Sequence, residues 1–253
     1  MARRLTLIVL ALFTASPSQA QDAPSRGWVD VNFVSVWAHQ EARSSVFRDV
    51  LFEETATWMA GYPVLPSARG GDVGAGLRFG PEGIVGIGLR VNTLRYEFPT
   101  ELTVTLPHPA FFDTFGAGTA IANGLERSER SFDVQVALLV PTQDPWTLRV
   151  FGGPTYVTVR QDLVQDIVAE QFADLLGTNL VGIADYELQE IEEGAWGFNV
   201  GADVALFFTP HVGVGGVVRF NRATVAIVDP LSEQAAELEA GATSVGGGLR
   251  LRF

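Results

Sequence analysis

Apolar and polar residues alternate with period two in several stretches of this chain. In 72–80, Val73, Ala75, Leu77 and Phe79 fall on one parity and Asp72, Gly74, Gly76 and Arg78 on the other. In 131–140, Phe132, Val134, Val136, Leu138 and Val140 oppose Asp133 and Gln135. The same split recurs in 195–208 and in 242–253, where Val245, Leu249, Leu251 and Phe253 oppose Gly246, Gly248, Arg250 and Arg252. Side chains alternate across a strand, so each stretch is a strand with one continuous apolar face. The pattern predicts eight strands, at 28–40, 72–80, 84–98, 131–140, 147–160, 195–208, 212–228 and 242–253.

The spacing between these strands carries topology. Short connections at 80–83, 141–146 and 209–211 alternate with long ones at 41–71, 99–130, 161–194 and 229–241. Even strand number, short turns at one end and long loops at the other are the layout of an antiparallel up-and-down transmembrane barrel. The long connections carry apolar stripes at helical spacing: Val46, Phe47, Val50 and Leu51, then Leu163, Ile167, Val168, Phe172, Leu175 and Leu176, then 231–240. These predict short helices in the external loops.

Which face looks outward depends on what the polar face holds. It is mostly glycine with single Arg, Asp, Asn and Gln residues, too sparse for the surface of a soluble barrel. Small residues suit a narrow lumen, where eight strands leave room only for side chains. Asp30, Asp72, Asp133 and Asp203 can pair there with Arg78, Arg90, Arg149, Arg219, Arg250 and Arg252, as enclosed charges must. The expectation is polar-in and apolar-out, with lipid outside. Three places fit poorly. Leu94 and Arg95 break the alternation set by Arg90 and Asn92. Val34 and Val36 fall on the lumen face. Pro154 interrupts a strand, for which a bulge is the simplest account.

The first twenty residues read as a cleaved export signal: Arg3 and Arg4, the apolar run Leu5 to Phe13, and Ser18 and Ala20 at small-residue cleavage positions. The barrel domain is then 21–253. The chain of 253 residues has no cysteine, 17 basic and 29 acidic residues and a net charge of −12. Every basic residue is Arg. Without Arg3 and Arg4 the charge is −14. Such a chain has no electrostatic footprint for nucleic acid, and no thiolate metal site or disulfide. No cofactor is expected.

The ending Gly-Leu-Arg-Leu-Arg-Phe, with Leu249, Leu251 and terminal Phe253 at alternate positions, resembles the closing strand of bacterial outer-membrane proteins. With the signal, the eight strands and the alternating gaps, the chain resembles the small outer-membrane barrels of the OmpA, OmpX and OmpW types. That resemblance implies a place in the outer membrane of a Gram-negative-type cell, lipid and lipopolysaccharide as surroundings, and recognition of Leu249, Leu251 and Phe253 by the barrel-assembly machinery.

Chemistry is sparse. The three histidines are His39, His108 and His211. Ser35 and His39 share a strand face, but four residues span about 13 Å, too far for a hydrogen bond. No enzyme is expected. The gap 161–194 holds nine acidic residues and no basic one, so divalent cations are candidate partners of the external loops. The function expected is structural or surface-interacting, with a plugged polar lumen. One alternative is an OmpW-like pocket for small apolar molecules between the loops, with Phe111, Phe112 and Phe115 as lining. The other is a soluble lipocalin-like binding barrel.

Overall fold

The computed structural model describes residues 26–38, 41–80, 83–142 and 145–253. The expected export signal, the cleavage site and His39 lie outside these residues. The fold is all-β. Its strands are β1 (Gly27–Ala38), β2 (Arg43–Leu51), β3 (Glu54–Tyr62), β4 (Ala68–Phe79), β5 (Val85–Pro107), β6 (Phe115–Val140), β7 (Trp146–Ala173), β8 (Asn179–Phe207), β9 (Val212–Val228), β10 (Ala235–Ala240) and β11 (Ala242–Arg252). Among the described residues eleven strands form, where the sequence pattern predicts eight. Eight of them close a ring in the order β5-β4-β1-β11-β9-β8-β7-β6, with β6 returning to β5. All ring pairings are antiparallel. The ring shuts where Gly27 and Phe253 exchange both backbone hydrogen bonds, at 2.7 and 3.0 Å.

The other three strands come from the expected loops. The β2–β3 hairpin adds to the distal half of β5, and β10 folds back on β9. The remaining long gaps simply continue their strands: β5 to β8 run 23, 26, 28 and 29 residues. About 9–11 residues cross a bilayer as a tilted strand, so these four project well beyond it. The expected short helices do not form. In β7 the register shifts between Val164 and Asp166, which puts Leu163, Val164 and Ile167 all inside. An extra residue in a period-two pattern leaves apolar residues three and four apart, and that imitates a helix.

The poor fits have two causes. Pro154 makes no bulge, since Asp133 opposes Thr155 and Val136 opposes Gly152 in one unbroken register. A bulge occurs instead between Phe98 and Thr100, opposite Gly124, which takes the left-handed φ of 77°. Leu94 and Arg95 need no irregularity. Through β5 the same parity stays inside, from Arg90 and Asn92 to Leu94, Tyr96 and, after the bulge, Leu102 and Val104. The backbone keeps its phase, and the chemistry of the two faces exchanges. Below this level the interior is polar and the exterior apolar: Val85, Ile87, Leu89 and Val91 point out, all 45–52% exposed. Above it the interior is apolar, and Arg95, Glu97 and Glu101 point out.

The same exchange occurs on β1, where Asp30 and Asn32 give way inside to Val34 and Val36. On β9, Arg219 and Asn221 give way to Ala223, Val225 and Ile227. A strand whose outward residues change from apolar to charged passes from apolar surroundings to water. The exchange level is therefore the outer edge of the apolar belt. Trp37, Trp146, Tyr156 and Trp196 face outward, as interface aromatics do. Trp28 and Tyr96 are instead buried, at 6% and 2% exposure. Trp28 fits inside because β4 and β5 are notched for it. A Cβ on Gly76, Gly86 or Gly88 would lie 2.1, 2.9 or 3.0 Å from its indole.

Candidate functional site

The lumen at belt depth is filled by arginines and aspartates carried on inward positions of β1, β4, β5, β6, β7, β8, β9 and β11. Asp72 pairs with Arg90 and Arg219 and accepts from Asn32 Nδ2 at 2.8 Å. Arg90 also reaches Asp30 at 3.2 Å, and Arg219 reaches Asp133 at 3.4 Å. Arg149 bridges Asp30 at 2.5 Å and Asp203 at 3.5 Å. Arg250 holds Asp203 at 2.5 Å and donates to Asn32 Oδ1 at 2.7 Å. Four arginines and four aspartates thus form one continuous network with no net charge. All eight are 5% exposed or less. Ions this deep are tolerated only when paired and hydrogen-bonded.

Eight of the ten residues expected in the network are in it. Arg78 and Arg252 are not. Arg78 lies 5.9 Å from the Trp28 ring, and Arg252 stacks 4.0 Å over Phe207 and donates to the Pro210 carbonyl at 2.7 Å. Both sit near strand ends, where the lumen opens. Sequence reasoning missed Asn32, Gln135, Thr155 and Asn199. Thr155 donates to Asp133 at 2.5 Å, and Gln135 donates to Asn199 at 3.0 Å. It also missed a second pair, Arg127 with Glu129 at 2.7 Å, at the exchange level. Parity could have found most of them. Asn32 follows Asp30 by two, and Gln135, Glu129 and Arg127 share the parity of Asp133.

Above the network lies a dry core of Tyr62, Tyr96, Phe98, Leu102, Leu125, Leu163 and Leu238, each at most 2% exposed. Tyr62 spans it from β3 to β7, its hydroxyl accepting from Val164 N at 2.9 Å, the amide freed by the β7 bulge. Burial is the main cause that pushes this phenol up to about 12. The β2–β3 hairpin is clasped to the β9–β10 turn by Asp229, which accepts from Ser45 Oγ and lies 3.2 Å from Arg43. Asp229 also caps that turn through the amides of Leu231 and Ser232, both at 3.2 Å.

Beside this core is a cavity of about 410 Å³, lined by Phe47, Leu51, Trp58, Leu106, Ile167 and Leu231 together with Asp49, Asp166 and Gln171. Phe111, Phe112 and Phe115, the expected lining, are not there. Phe111 and Phe112 stand in the β5–β6 turn and Phe115 opens β6, 40%, 67% and 48% exposed. The parity of a turn is undefined, so the sequence could not aim them. His108 organises that turn. Its Nδ1 accepts from Ala110 and Phe111 amides at 3.0 and 3.2 Å, and its Nε2 donates to the Asp174 carbonyl at 2.9 Å on the neighbouring hairpin. Both ring nitrogens are thereby engaged. His211 sits exposed in the β8–β9 turn against the Arg252 carbonyl, 3.0 Å away.

The acidic residues of 161–194 are strung along β7 and β8 on both faces, and among the described residues no three His, Asp or Glu side chains gather as metal ligands. Leu249 and Phe253 point outward, 56% and 63% exposed, and Leu251 is partly covered on the same parity.

No protein-family model matches the chain, and no curated protein matches it. Among solved structures it is similar to the outer membrane protein OprG from Pseudomonas aeruginosa, at 8% identity over 90% of this chain and 96% of that one, with a TM-score of 0.48. It is also similar to Neisserial surface protein A, at 14% identity over 90% and 97% with a TM-score of 0.40. A third is the outer membrane protease OmpT from Escherichia coli, at 12% identity over 94% and 100% with a TM-score of 0.39. These are outer-membrane β-barrels. The likeness is loose, and the barrel architecture of this chain rests on its own closed strand pairing and its own exposed apolar belt.

Proposed function

We infer that this chain is a non-conducting outer-membrane protein that anchors a rigid β-sheet ectodomain at the cell surface. The observation that carries this reading is the neutral Arg–Asp network across the lumen at belt depth. It leaves no continuous water path, and the dry core above it shuts the barrel a second time. What remains is a membrane anchor whose β5 to β8 extend outward as sheet, with His108 joining the β5–β6 turn to the β7–β8 turn and Asp229 joining the β2–β3 hairpin to the β9–β10 turn. On this reading the outward face of β11, with Leu249, Leu251 and Phe253, is the surface offered to the assembly machinery. The test is reconstitution of the SDS-resistant protein into planar bilayers. Insertion should give no discrete ion-conducting steps. Sustained unitary steps from wild-type protein would defeat the plugged reading.

A second reading is favoured by the cavity beneath the hairpin tips. Its volume lies within the about 300–1,000 Å³ of small-molecule sites, and its lining combines apolar and aromatic side chains with Asp49, Asp166 and Gln171. It would take a small apolar molecule from outside. Trp58 lines it, so a panel of alkanes and aromatic hydrocarbons should quench or shift tryptophan fluorescence. A Trp58→Phe variant should lose that response. Equal responses from the two proteins would exclude this cavity as the site.

A further inference from the structure

The outward arginines just above the apolar belt fall into two kinds. Arg160 and Arg222 are paired, with Glu192 and with Glu239, both at 2.5 Å. Arg69, Arg95 and Arg130 are exposed, and none of the three makes an ion pair among the described residues. They are neighbours on three adjacent strands. Arg69 on β4 stands directly opposite Arg95 on β5. Arg130 on β6 stands opposite Thr93, one same-face position below Arg95. Directly opposed residues of a ladder have Cβ atoms about 4.5–5.5 Å apart, and like charges placed so are destabilising. Elsewhere on this rim a carboxylate answers each arginine. Here the next rung outward is a second like-charged pair, Glu97 opposite Glu126, and neither lies within ion-pair distance of the three arginines.

Directly below the arginines, on the same outward face, are Val73, Val91 and Phe132, 44–52% exposed, and Phe33 on the adjacent strand at 82%. These belong to the apolar belt. An anion held by the three guanidinium groups would therefore stand at the lipid–water boundary, with apolar surface running down from it. We propose that Arg69, Arg95 and Arg130 form a binding site for the phosphate headgroup of an outer-leaflet lipid, whose chains lie along Val73, Val91 and Phe132. Guanidinium groups match phosphate by paired N–H donors. Their long stems let them reach the headgroup layer from the wall. The phosphate supplies the negative charge that the opposed arginines lack, and the apolar face below selects an amphiphile over a free ion. A polyanion such as nucleic acid meets a chain of net charge −12. The site rests on the membrane-spanning reading of the barrel.

The test uses the full chain folded in a zwitterionic detergent, with short-chain phosphatidic acid, phosphatidylcholine and inorganic phosphate as probes and native mass spectrometry as readout. Wild type should bind phosphatidic acid at least tenfold more tightly than phosphatidylcholine or inorganic phosphate. The triple variant Arg69→Gln, Arg95→Gln, Arg130→Gln should lose that preference, and the single variant Arg95→Gln should lose part of it. The variant Arg160→Gln, Arg222→Gln should keep it. Folding of each variant is checked by resistance to SDS before boiling. An SDS-resistant barrel that binds both lipids equally overturns the site alone, as does a triple variant that keeps the preference. Inorganic phosphate binding as tightly as phosphatidic acid overturns the lipid as its source. Protein that never resists SDS overturns the membrane reading, and the site with it.

Discussion

Replacing Asp72 by alanine should destabilise the barrel by about 3–5 kcal/mol, the range for removing one partner of a buried ion pair. Asp72 is 2% exposed and is the shared acceptor of Arg90, Arg219 and Asn32. Its loss leaves two guanidinium groups with one carboxylate each, Asp30 for Arg90 and Asp133 for Arg219. The network then carries one net positive charge at a buried position. The effect should be read from denaturant-induced unfolding in lipid vesicles. Arg160→Ala is the control. Its pair with Glu192 is half exposed, and such surface pairs contribute about 0–1 kcal/mol. Equal midpoints for the two variants would mean that water reaches the lumen network, and the plug would lose its physical basis.

An arginine in place of Leu89 should cost about 2–4 kcal/mol, as a cation does on the lipid face near the bilayer midplane. Leu89 lies in the middle of the outward run Val85, Ile87, Leu89 and Val91 and is 51% exposed. Ile121 on β6 is 64% exposed and also points outward, but it lies above the exchange level. Ile121→Arg should change stability by no more than about 0.5 kcal/mol, as surface substitutions generally do. The two sites have similar exposure and receive the same new side chain. They differ in the solvent outside. If both variants unfold at the same denaturant concentration, the apolar belt is not a lipid belt, and the outward residues of β5 must be covered by something else.

Much of this architecture was legible in the sequence because period-two alternation is a local property. Which residues share a face follows from parity alone. Asp30, Asp72, Asp133 and Asp203 could thus be set against Arg90, Arg149, Arg219 and Arg250 without coordinates. The long and short gaps gave the up-and-down order, and the eight strands that close the ring are the eight the pattern marks. Parity also held where the reading faltered. Val34, Val36 and Leu94 do lie inside. They looked wrong only because one rule for inside and outside was applied along the whole strand.

The tertiary structure decided what parity cannot carry. A residue's face depends on its own strand, but the solvent on that face depends on height along the barrel axis. On the membrane-spanning reading lipid meets the outer wall below the exchange level and water meets it above, so one backbone phase serves two opposite hydrophobic patterns. The bulges at Val164/Asp166 and Phe98/Thr100 were hidden for a related reason. Each adds a residue whose only signature is a phase slip, and in β7 that slip reads as a helix. The three added strands β2, β3 and β10 exist because their partners β5 and β9 continue past the bilayer. The ends of the network were set by closure: Arg78 and Arg252 have the right parity, but they lie near the strand ends and form no ion pair with an aspartate among the described residues. The sequence by itself determined the strands, their parity and the charged residues of the lumen. Ring closure and the height of each residue against the lipid decided which charges meet, where the interior turns dry, and which three arginines face the boundary unpaired.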